Sequence, residues 1–249
     1  MKGDFYMKTR FFAGVLALSA LAGILTGCGT SGESASSAAP AGDASANQNA
    51  DNQNDDGNQN ADIQNSAQNT SADSGNTFII TLHPDQAPIT CENFEKLVND
   101  GFYNGIGFHR VVEGFMAQGG DPTGTGMGDG SVPTIKGEFE ANGVHNTLSH
   151  KRGVVSMART QVYDSASSQF FICYDDSCTF LDGQYAAFGE VTEGMDVVDN
   201  FLKVERSYNS GGELAIPNTP ITMETVVMIE DDENGNPRVQ VTMNDFLSK

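Results

Sequence analysis

The chain has 249 residues, a formal net charge of −20 and a sequence pI near 4.2. So acidic a chain argues against nucleic-acid binding, which needs a basic face, and against electrostatic docking on anionic lipid. The charge favours solubility and does not determine the fold.

An apolar run over residues 11–25 follows a short basic segment. It is shorter than the roughly 20 residues that cross a bilayer, but it suits the h-region of a signal peptide. It ends in Leu25-Thr26-Gly27-Cys28, which resembles the bacterial lipobox, where the signal is cut before a cysteine that carries diacylglycerol. An ordinary secretory signal is the alternative. We expect residues 1–27 to be a lipoprotein signal peptide and a lipid on Cys28 to anchor the protein, outside the cytoplasm, to the bacterial cell membrane.

Residues 28–76 have the composition of a tether. Beyond Cys28 they are mostly Ser, Ala, Gly, Asn, Gln and Asp, with Ile63 the only large apolar side chain and no Lys or Arg. Such a segment cannot bury enough surface to offset its ordering entropy. We therefore expect a disordered, polar tether with an r.m.s. reach of about 35–40 Å.

From Thr77 onward, short apolar strands alternate with two helical patterns. Residues 88–99 predict a helix, because Ile89, Phe94, Leu97 and Val98 can share one face and Asn99-Asp100-Gly101 ends it. We expect strands over 77–82, 153–158, 169–174, 186–191 and 221–229, a second helix over 193–202 and a loop over 203–219. Many short strands and two helices predict a closed antiparallel barrel.

Residues 108–121 contain the most informative pattern in the chain. Arg110 lies in an apolar strand pattern, which is unfavourable unless its donors are used, and Gln118 is close enough in sequence to hold the guanidinium. Phe115 and Met116 would form an apolar wall beside this cation. Proline in a peptide, with one apolar ring and one carbonyl, suits such a site. The alternative is a core strand with a structural arginine salt bridge.

Three further motifs follow in order. Residues 153–159 read GVVSMAR, residues 168–173 read SQFFIC, and residues 180–190 read FLDGQYAAFGE. Together with FHRVVEGFMAQGGD at 108–121, they resemble the cyclophilin family of peptidyl-prolyl cis-trans isomerases, from about Thr77 to Ile229. The resemblance implies a mainly β fold, namely a closed eight-stranded antiparallel barrel with two covering helices. It also implies a non-covalent reaction that needs no cofactor.

The resemblance also implies the site. The expected catalytic residues are Arg110, as donor to the twisting amide, and Gln118, which would hold the guanidinium. The expected substrate-binding residues are Phe115, Met116, Ala158, Arg159, Gln169, Phe171, Phe180, Leu181 and Tyr185. Four of these form the expected proline pocket: Phe115, Met116, Phe171 and Leu181. For Phe171 and Leu181 the alternative is simple barrel core.

Two groove positions differ from the best-known eukaryotic members. Phe180 stands where those proteins have Trp, and Tyr185 stands where they have His. Without the indole N–H we expect weak cyclosporin binding. Tyr185 keeps an aromatic wall, so we expect turnover to survive with an altered substrate preference.

The ends of the domain also differ from the family pattern. Family members begin with a hairpin, and only its second strand, at 77–82, is evident here. The domain is expected to span residues 77–249, with an extension beyond the family's usual end from about 231. We predict that residues 238–243 pair against 221–229 and take the place of the missing strand.

Histidine and cysteine positions give no convincing metal site. The four histidines are spread out without ligand spacing. His109 is interpreted as a buried, hydrogen-bonded side chain rather than a ligand or a base. Cys173 and Cys178 could form a disulfide or remain free, and Cys91 is expected in the core.

The leading interpretation is a lipid-anchored isomerase that acts on Xaa-Pro bonds of exported proteins. We expect a monomer whose partners are proline-containing polypeptides and, through the lipid on Cys28, the membrane, with no nucleic acid. The alternative is a non-catalytic cyclophilin-fold module that binds proline-containing peptides or a partner protein. The presence of Arg110 favours the enzyme.

Overall fold

A computed structural model describes residues 75–248 of the chain. The predicted signal peptide and Cys28 lie outside these residues, as does all of the predicted tether except its last two positions. Among residues 75–248, no helix is both long and apolar enough to cross a membrane.

The described residues contain ten strands and two α-helices. The strands are β1 (Thr77–Leu82), β2 (Phe108–Val112), β3 (Met116–Gly119), β4 (Val154–Met157), β5 (Phe170–Cys173), β6 (Ala187–Glu193), β7 (Arg206–Tyr208), β8 (Leu214–Pro217), β9 (Met223–Ile229) and β10 (Arg238–Met243). The helices are α1 (Pro88–Asn99) and α2 (Met195–Asn200), and 3-10 turns cover Glu140–Asn142, Asp176–Leu181 and Phe201–Lys203.

Eight strands form one curled antiparallel sheet in the order β2-β3-β5-β4-β6-β1-β10-β9. Its two outer strands approach each other, since Gly107, just before β2, forms a bridge with Thr222, just before β9. The Phe108 N–H donates to the Ile221 carbonyl at 2.8 Å, and the Met223 N–H donates to the Ile106 carbonyl at 3.0 Å. A side chain at Gly107 would lie 3.1 Å from the Ile221 oxygen, so this approach favours glycine.

The segment beyond the family's usual end completes the sheet, as predicted. β10 pairs with β9 on one side and with β1 on the other, and Val239 lies opposite both Met228 and Ile80. Val239 and Val241 are fully buried. The prediction for residues 238–243 is therefore confirmed.

Aromatic side chains fill the core inside the curled sheet. Phe94 of α1 lies with its ring centroid 5.0 Å from Tyr103, 5.5 Å from Phe170 and 5.1 Å from Phe188. Phe201, directly after α2, packs at 4.9 Å against Phe108 on another part of the core. Helix α1 and the 3-10 turn that follows α2 thus each contribute an aromatic anchor to the sheet interior.

Helix α1 has the predicted bounds but not the whole predicted face. Its buried residues are Thr90, Cys91, Phe94, Leu97 and Val98, whereas Ile89 is 41% exposed. At 100° per residue, Ile89 lies about 140° from Phe94 around the helix axis, which turns it to solvent. The prediction for Ile89 was wrong for this reason.

Two sequence predictions near the end of the domain need correction. Residues 203–219 were expected to be a loop but contain the hairpin of β7 and β8, in which Tyr208 lies opposite Leu214. The second helix is shorter than predicted. Gly194 adopts a left-handed conformation directly before α2, and the chain changes to a 3-10 turn at Phe201. Glycine accepts that conformation readily.

Candidate active site

Arg110 and Gln118 lie opposite each other on the paired strands β2 and β3. Nη1 of Arg110 contacts Oε1 of Gln118 at 3.4 Å and the sulfur of Met116 at 3.7 Å. The guanidinium carbon lies 5.6 Å from the ring centroid of Phe115, a distance that suits a cation–π contact. Three residues of this sequence pattern, Phe115, Met116 and Gln118, therefore surround the cation of the fourth, Arg110.

Glu213 binds the same guanidinium more closely than Gln118 does. Nε of Arg110 donates to Oε2 of Glu213 at 2.7 Å, and Nη2 donates to Oε1 at 2.7 Å. These hydrogen bonds lower the pKa of Glu213, and the nearby positive charge contributes, so the carboxylate is ionised at neutral pH. Two parallel bonds of this kind fix the orientation of an arginine.

No local pattern relates Glu213 to Arg110 in the sequence, since 103 positions separate them. The only available signal was chemical: an arginine in an apolar strand needs an anion. The alternative interpretation, a structural salt bridge, anticipated such a partner without naming it.

The apolar site residues form a cluster separate from the main core. Its buried members are Met116, Phe171, Cys173, Cys178 and Leu181, and Val112, Phe115, Ala158 and Tyr185 pack against them while remaining partly exposed. The ring of Phe171 meets Tyr185 edge to face at 6.0 Å. Phe171 and Leu181 therefore belong to the wall beside Arg110 rather than to the main core.

A line of side-chain amides crosses the site next to this cluster. Nε2 of Gln118 donates to Oε1 of Gln169 at 3.0 Å, and Nε2 of Gln169 donates to the Gly126 carbonyl at 3.2 Å. The Ala158 N–H donates to the Gln169 carbonyl at 2.9 Å. Strand β3, the residue after β4 and the residue before β5 are thereby joined to the loop after Asp121.

Arg159 and Phe180 complete the predicted set in different ways. The Arg159 guanidinium carbon lies 4.5 Å from the Tyr185 centroid and also covers Phe139 and Tyr163, so it supports the wall from behind. Phe180 is 57% exposed and stacks on Phe115 at 5.7 Å. All eleven residues expected in the site are thus connected by direct contacts.

Two supports of the site were not predicted from the sequence. His150 stacks on Phe171 at 6.0 Å and is fixed through its two ring nitrogens, which lie 2.8 Å from Asp182 and 2.9 Å from the Ser156 hydroxyl. Burial lowers the pKa of His150 although Asp182 opposes this, so the ring is neutral at physiological pH. A neutral ring below Phe171 keeps the pocket wall uncharged.

Asp121 is the second support. Its carboxylate accepts backbone N–H groups from Thr123 at 2.9 Å, Gly126 at 2.6 Å and Gly128 at 3.2 Å. Burial alone would raise the pKa of Asp121, but these bonds together lower it. The loop that presents the Gly126 carbonyl to Gln169 is therefore organised by one carboxylate.

His109 corrects one expectation. It was expected to be hydrogen-bonded, but both of its ring nitrogens are buried without a hydrogen-bond partner. The loop at Gly126 covers the ring, and burial lowers its pKa. His109 therefore acts as an uncharged packing group under the loop.

Cys173 and Cys178 are free, as is Cys91, so the disulfide left open by the sequence is not formed. The Cys178 thiol donates to the Phe115 carbonyl at 3.2 Å. Cys91 is buried in the core, as expected. Among residues 75–248, no group of three His, Cys, Asp or Glu side chains could hold a metal ion.

Comparison with known proteins identifies the family. The model of the family described as cyclophilin type peptidyl-prolyl cis-trans isomerase matches residues 68–228. Peptidyl-prolyl cis-trans isomerase A of Dickeya dadantii is 39% identical over 161 residues, which cover 63% of this chain and 82% of the relative. Peptidyl-prolyl cis-trans isomerase B of Bacillus subtilis is 45% identical over 126 residues, which cover 51% of this chain and 83% of the relative.

A solved structure agrees with these relatives. The cyclophilin type isomerase of Cryptosporidium parvum, crystallised in the presence of the dipeptide Ala-Pro, aligns with a TM-score of 0.52 at 28% identity, covering 63% of this chain and 99% of its own. The chain belongs to the cyclophilin type peptidyl-prolyl cis-trans isomerase family. Its function is peptidyl-prolyl isomerisation, and the non-catalytic alternative is not favoured.

Proposed function

We propose that this isomerase acts on exported proteins while anchored to the cell membrane by lipid, and that Arg110 is its catalytic donor. One observation carries the catalytic assignment: the Arg110 guanidinium is held beside the cluster of Met116, Phe171 and Leu181, with Nη1 making only long contacts. Such a donor is available to a substrate carbonyl or to the proline nitrogen.

The barrier to rotation about an Xaa-Pro bond is close to 20 kcal/mol, because resonance stiffens the amide. Rotation makes the proline nitrogen pyramidal and gives it a lone pair. A donor aimed at the twisted amide stabilises that state more than the planar one, which accelerates rotation without a covalent intermediate. In this chain Arg110 would supply the donor, and Gln118 would limit its sideways movement.

The apolar cluster would hold the proline ring while the amide rotates. Phe115, Met116, Phe171 and Leu181 supply its walls, and Tyr185 borders it. Ala158, Arg159, Gln169 and Phe180 would contact residues that flank the proline. The Ala-Pro dipeptide used with the Cryptosporidium relative supports a proline-containing ligand here.

We also propose that the curled sheet closes into a barrel. The bridge between Gly107 and Thr222 and the two backbone hydrogen bonds beside it support this closure. Slow hydrogen exchange at the N–H groups of Phe108 and Met223 is the expected result. Exchange at the rate of an open sheet edge would contradict closure.

The lipid anchor is proposed from the sequence alone. The apolar run at 11–25 and the lipobox-like ending at Cys28 support it, and residues 28–76 would serve as the tether. Metabolic labelling with a radioactive fatty acid tests the proposal: label is expected on the native chain and absent from a Cys28→Ser variant. Equal labelling of both would exclude Cys28 as the lipid site.

The isomerase mechanism is tested by cis/trans exchange of an Ala-Pro-Phe peptide, measured by NMR. The native chain is expected to accelerate exchange, and Arg110→Ala is expected to reduce kcat/KM by about 100-fold or more. Arg152→Ala is the matched control, since Arg152 pairs with Asp199 and contacts none of the site residues. Full activity of Arg110→Ala would keep the function and reject Arg110 as the donor.

A further inference from the structure

The donors of Arg110 are unequally occupied. A guanidinium carries five N–H groups, and Glu213 takes the Nε–H and one Nη2–H at 2.7 Å each. Nη1 makes only the 3.4 Å contact with Gln118 and the 3.7 Å contact with the Met116 sulfur. One edge of the guanidinium is therefore firmly bound, while the edge beside Met116 and Gln118 stays available.

The turn between β7 and β8 determines where the Glu213 carboxylate lies. Oδ1 of Asn209 accepts the N–H groups of Gly211 and Glu213 at 3.0 Å each, and Nδ2 of Asn209 donates to Oε2 of Glu213 at 3.1 Å. Gly212 has a φ of +77°, which a side chain would strain. Asn209 thus fixes both the backbone and the carboxylate of Glu213.

The pair is also sheltered from solvent. The Arg110 side chain is 19% exposed and that of Glu213 is 32% exposed, so bulk salt screens their attraction only weakly. The neighbouring pair of Arg206 and Glu113 differs: its atoms are 3.7 Å apart and Glu113 is 80% exposed. Only the first pair combines two short bonds with partial burial.

We infer that Glu213 is a positioning residue for isomerisation, which orients the Arg110 guanidinium so that Nη1 faces the proline pocket before substrate arrives. The inference rests on the proposed role of Arg110. An arginine without this partner would have to be ordered when the amide twists, and that ordering would reduce the rate. Pairing with Glu213 leaves the guanidinium charged. The N–H groups that Glu213 does not bind therefore keep their strength as donors.

The test compares Glu213→Gln with Glu113→Gln in the full chain. Both variants remove one negative charge near the same site, but Glu113 does not contact Arg110. Peptide exchange by NMR is expected to show kcat reduced about tenfold for Glu213→Gln, with KM changed less than about twofold, because Glu213 is not part of the pocket wall. Glu113→Gln is expected to match the native chain.

A second readout separates positioning from a general structural role. The Nε–H resonance of Arg110 is expected to shift and exchange faster with solvent in Glu213→Gln, while the melting temperature stays close to the native value. Should Glu213→Gln fold poorly, Glu213→Asp serves instead. Its side chain is one methylene shorter, so the carboxylate is set back from the guanidinium and reaches it less well, and an intermediate kcat is expected.

Three results would overturn the inference. An unchanged kcat in a variant whose Arg110 resonance has moved would show that orientation is unimportant. A higher kcat would show that the carboxylate withholds the guanidinium from substrate. A native kcat in Glu213→Asp would show that isomerisation does not require both short hydrogen bonds between Arg110 and the Glu213 carboxylate. Full activity of Arg110→Ala would instead reject the proposed mechanism. If Arg110→Ala has a reduced kcat but Glu213→Gln has the native kcat, only the role of Glu213 is rejected.

Discussion

Val239 lies opposite Ile80 across the paired strands β10 and β1, and both side chains are fully buried. The relationship joins the first and the last strands of the described domain, which are more than 150 positions apart. Because β10 also pairs with β9, this contact links the two ends of the chain segment to a single core.

Val239→Ala is therefore expected to destabilise the fold. Removing two buried methyl groups leaves a small cavity, and the free energy of unfolding should fall by about 2 kcal/mol. The matched control is Val227→Ala on the neighbouring strand β9, where the side chain is 45% exposed. The control is expected to stay within about 0.5 kcal/mol of the native value in urea unfolding. Equal effects at the two positions would contradict the placement of β10.

Glu138 is expected to be essential for the start of α1. It is buried and accepts the Ile89 N–H at 3.1 Å, the Thr90 N–H at 2.8 Å and the Thr90 hydroxyl at 2.7 Å. Ala87, at the N-cap, provides no side-chain hydrogen bond, so Glu138 satisfies these donors from another part of the chain. Glu138→Ala should reduce stability by about 2–4 kcal/mol, because the donors remain buried without a partner.

Urea unfolding measures this loss, and hydrogen exchange shows where it arises. Glu92→Ala is the control, because Glu92 lies exposed on the same helix. Exchange at the first turn of α1 should accelerate in Glu138→Ala alone. A variant as stable as the control would mean that water replaces the carboxylate without loss.

Much of the fold could be predicted because its signals are local. The α1 pattern begins with proline and ends before glycine, and the strand of β10 alternates Val239 and Val241 with polar residues. The β7–β8 hairpin was missed because its strands are short and its apolar residues, such as Leu214 and Ile216, are largely exposed. Ala215 is the only fully buried residue of these two strands, so the apolar pattern gives little indication of a strand.

The site residues also fall into those that the sequence could predict and those that it could not. Residues carried by family motifs, such as Arg110 and Phe171, could be assigned by position. The partners that hold them could not. Glu213 reaches Arg110 from a turn 103 positions away, and Asp182, although it lies in the 180–190 motif, acts through His150, 32 positions away. The sequence indicates that an arginine in an apolar strand needs an anion, but only the folded chain shows which carboxylate is within reach.

Cyclosporin binding is expected to depend on position 180. Phe180 has no N–H donor, and its ring is 57% exposed while it stacks on Phe115. Phe180→Trp adds an indole N–H at a position with room for the larger ring, and the affinity for cyclosporin should rise about tenfold, the value of one good hydrogen bond. Tyr208→Trp is the control, since Tyr208 is an exposed aromatic on β7. Calorimetry that shows equal affinities for the two variants would reject this explanation.

Asp121 is expected to make stability depend on pH in the acid range. Burial raises its pKa, but the N–H groups of Thr123, Gly126 and Gly128 outweigh this and lower it below the unfolded value near 3.9. A carboxyl whose pKa is lower in the folded state contributes stability above the unfolded pKa and loses it as the pH falls through the folded pKa. The contribution should therefore be complete at pH 6 and decline once the pH falls below the unfolded pKa near 3.9. The melting temperatures of the native chain and Asp121→Asn should differ at neutral pH and converge in acid. Asp85→Asn is the control, because Asp85 is exposed, and its melting temperature should follow that of the native chain throughout. A constant difference between Asp121→Asn and the native chain down to pH 2 would show that the loop is held by contacts other than this charge.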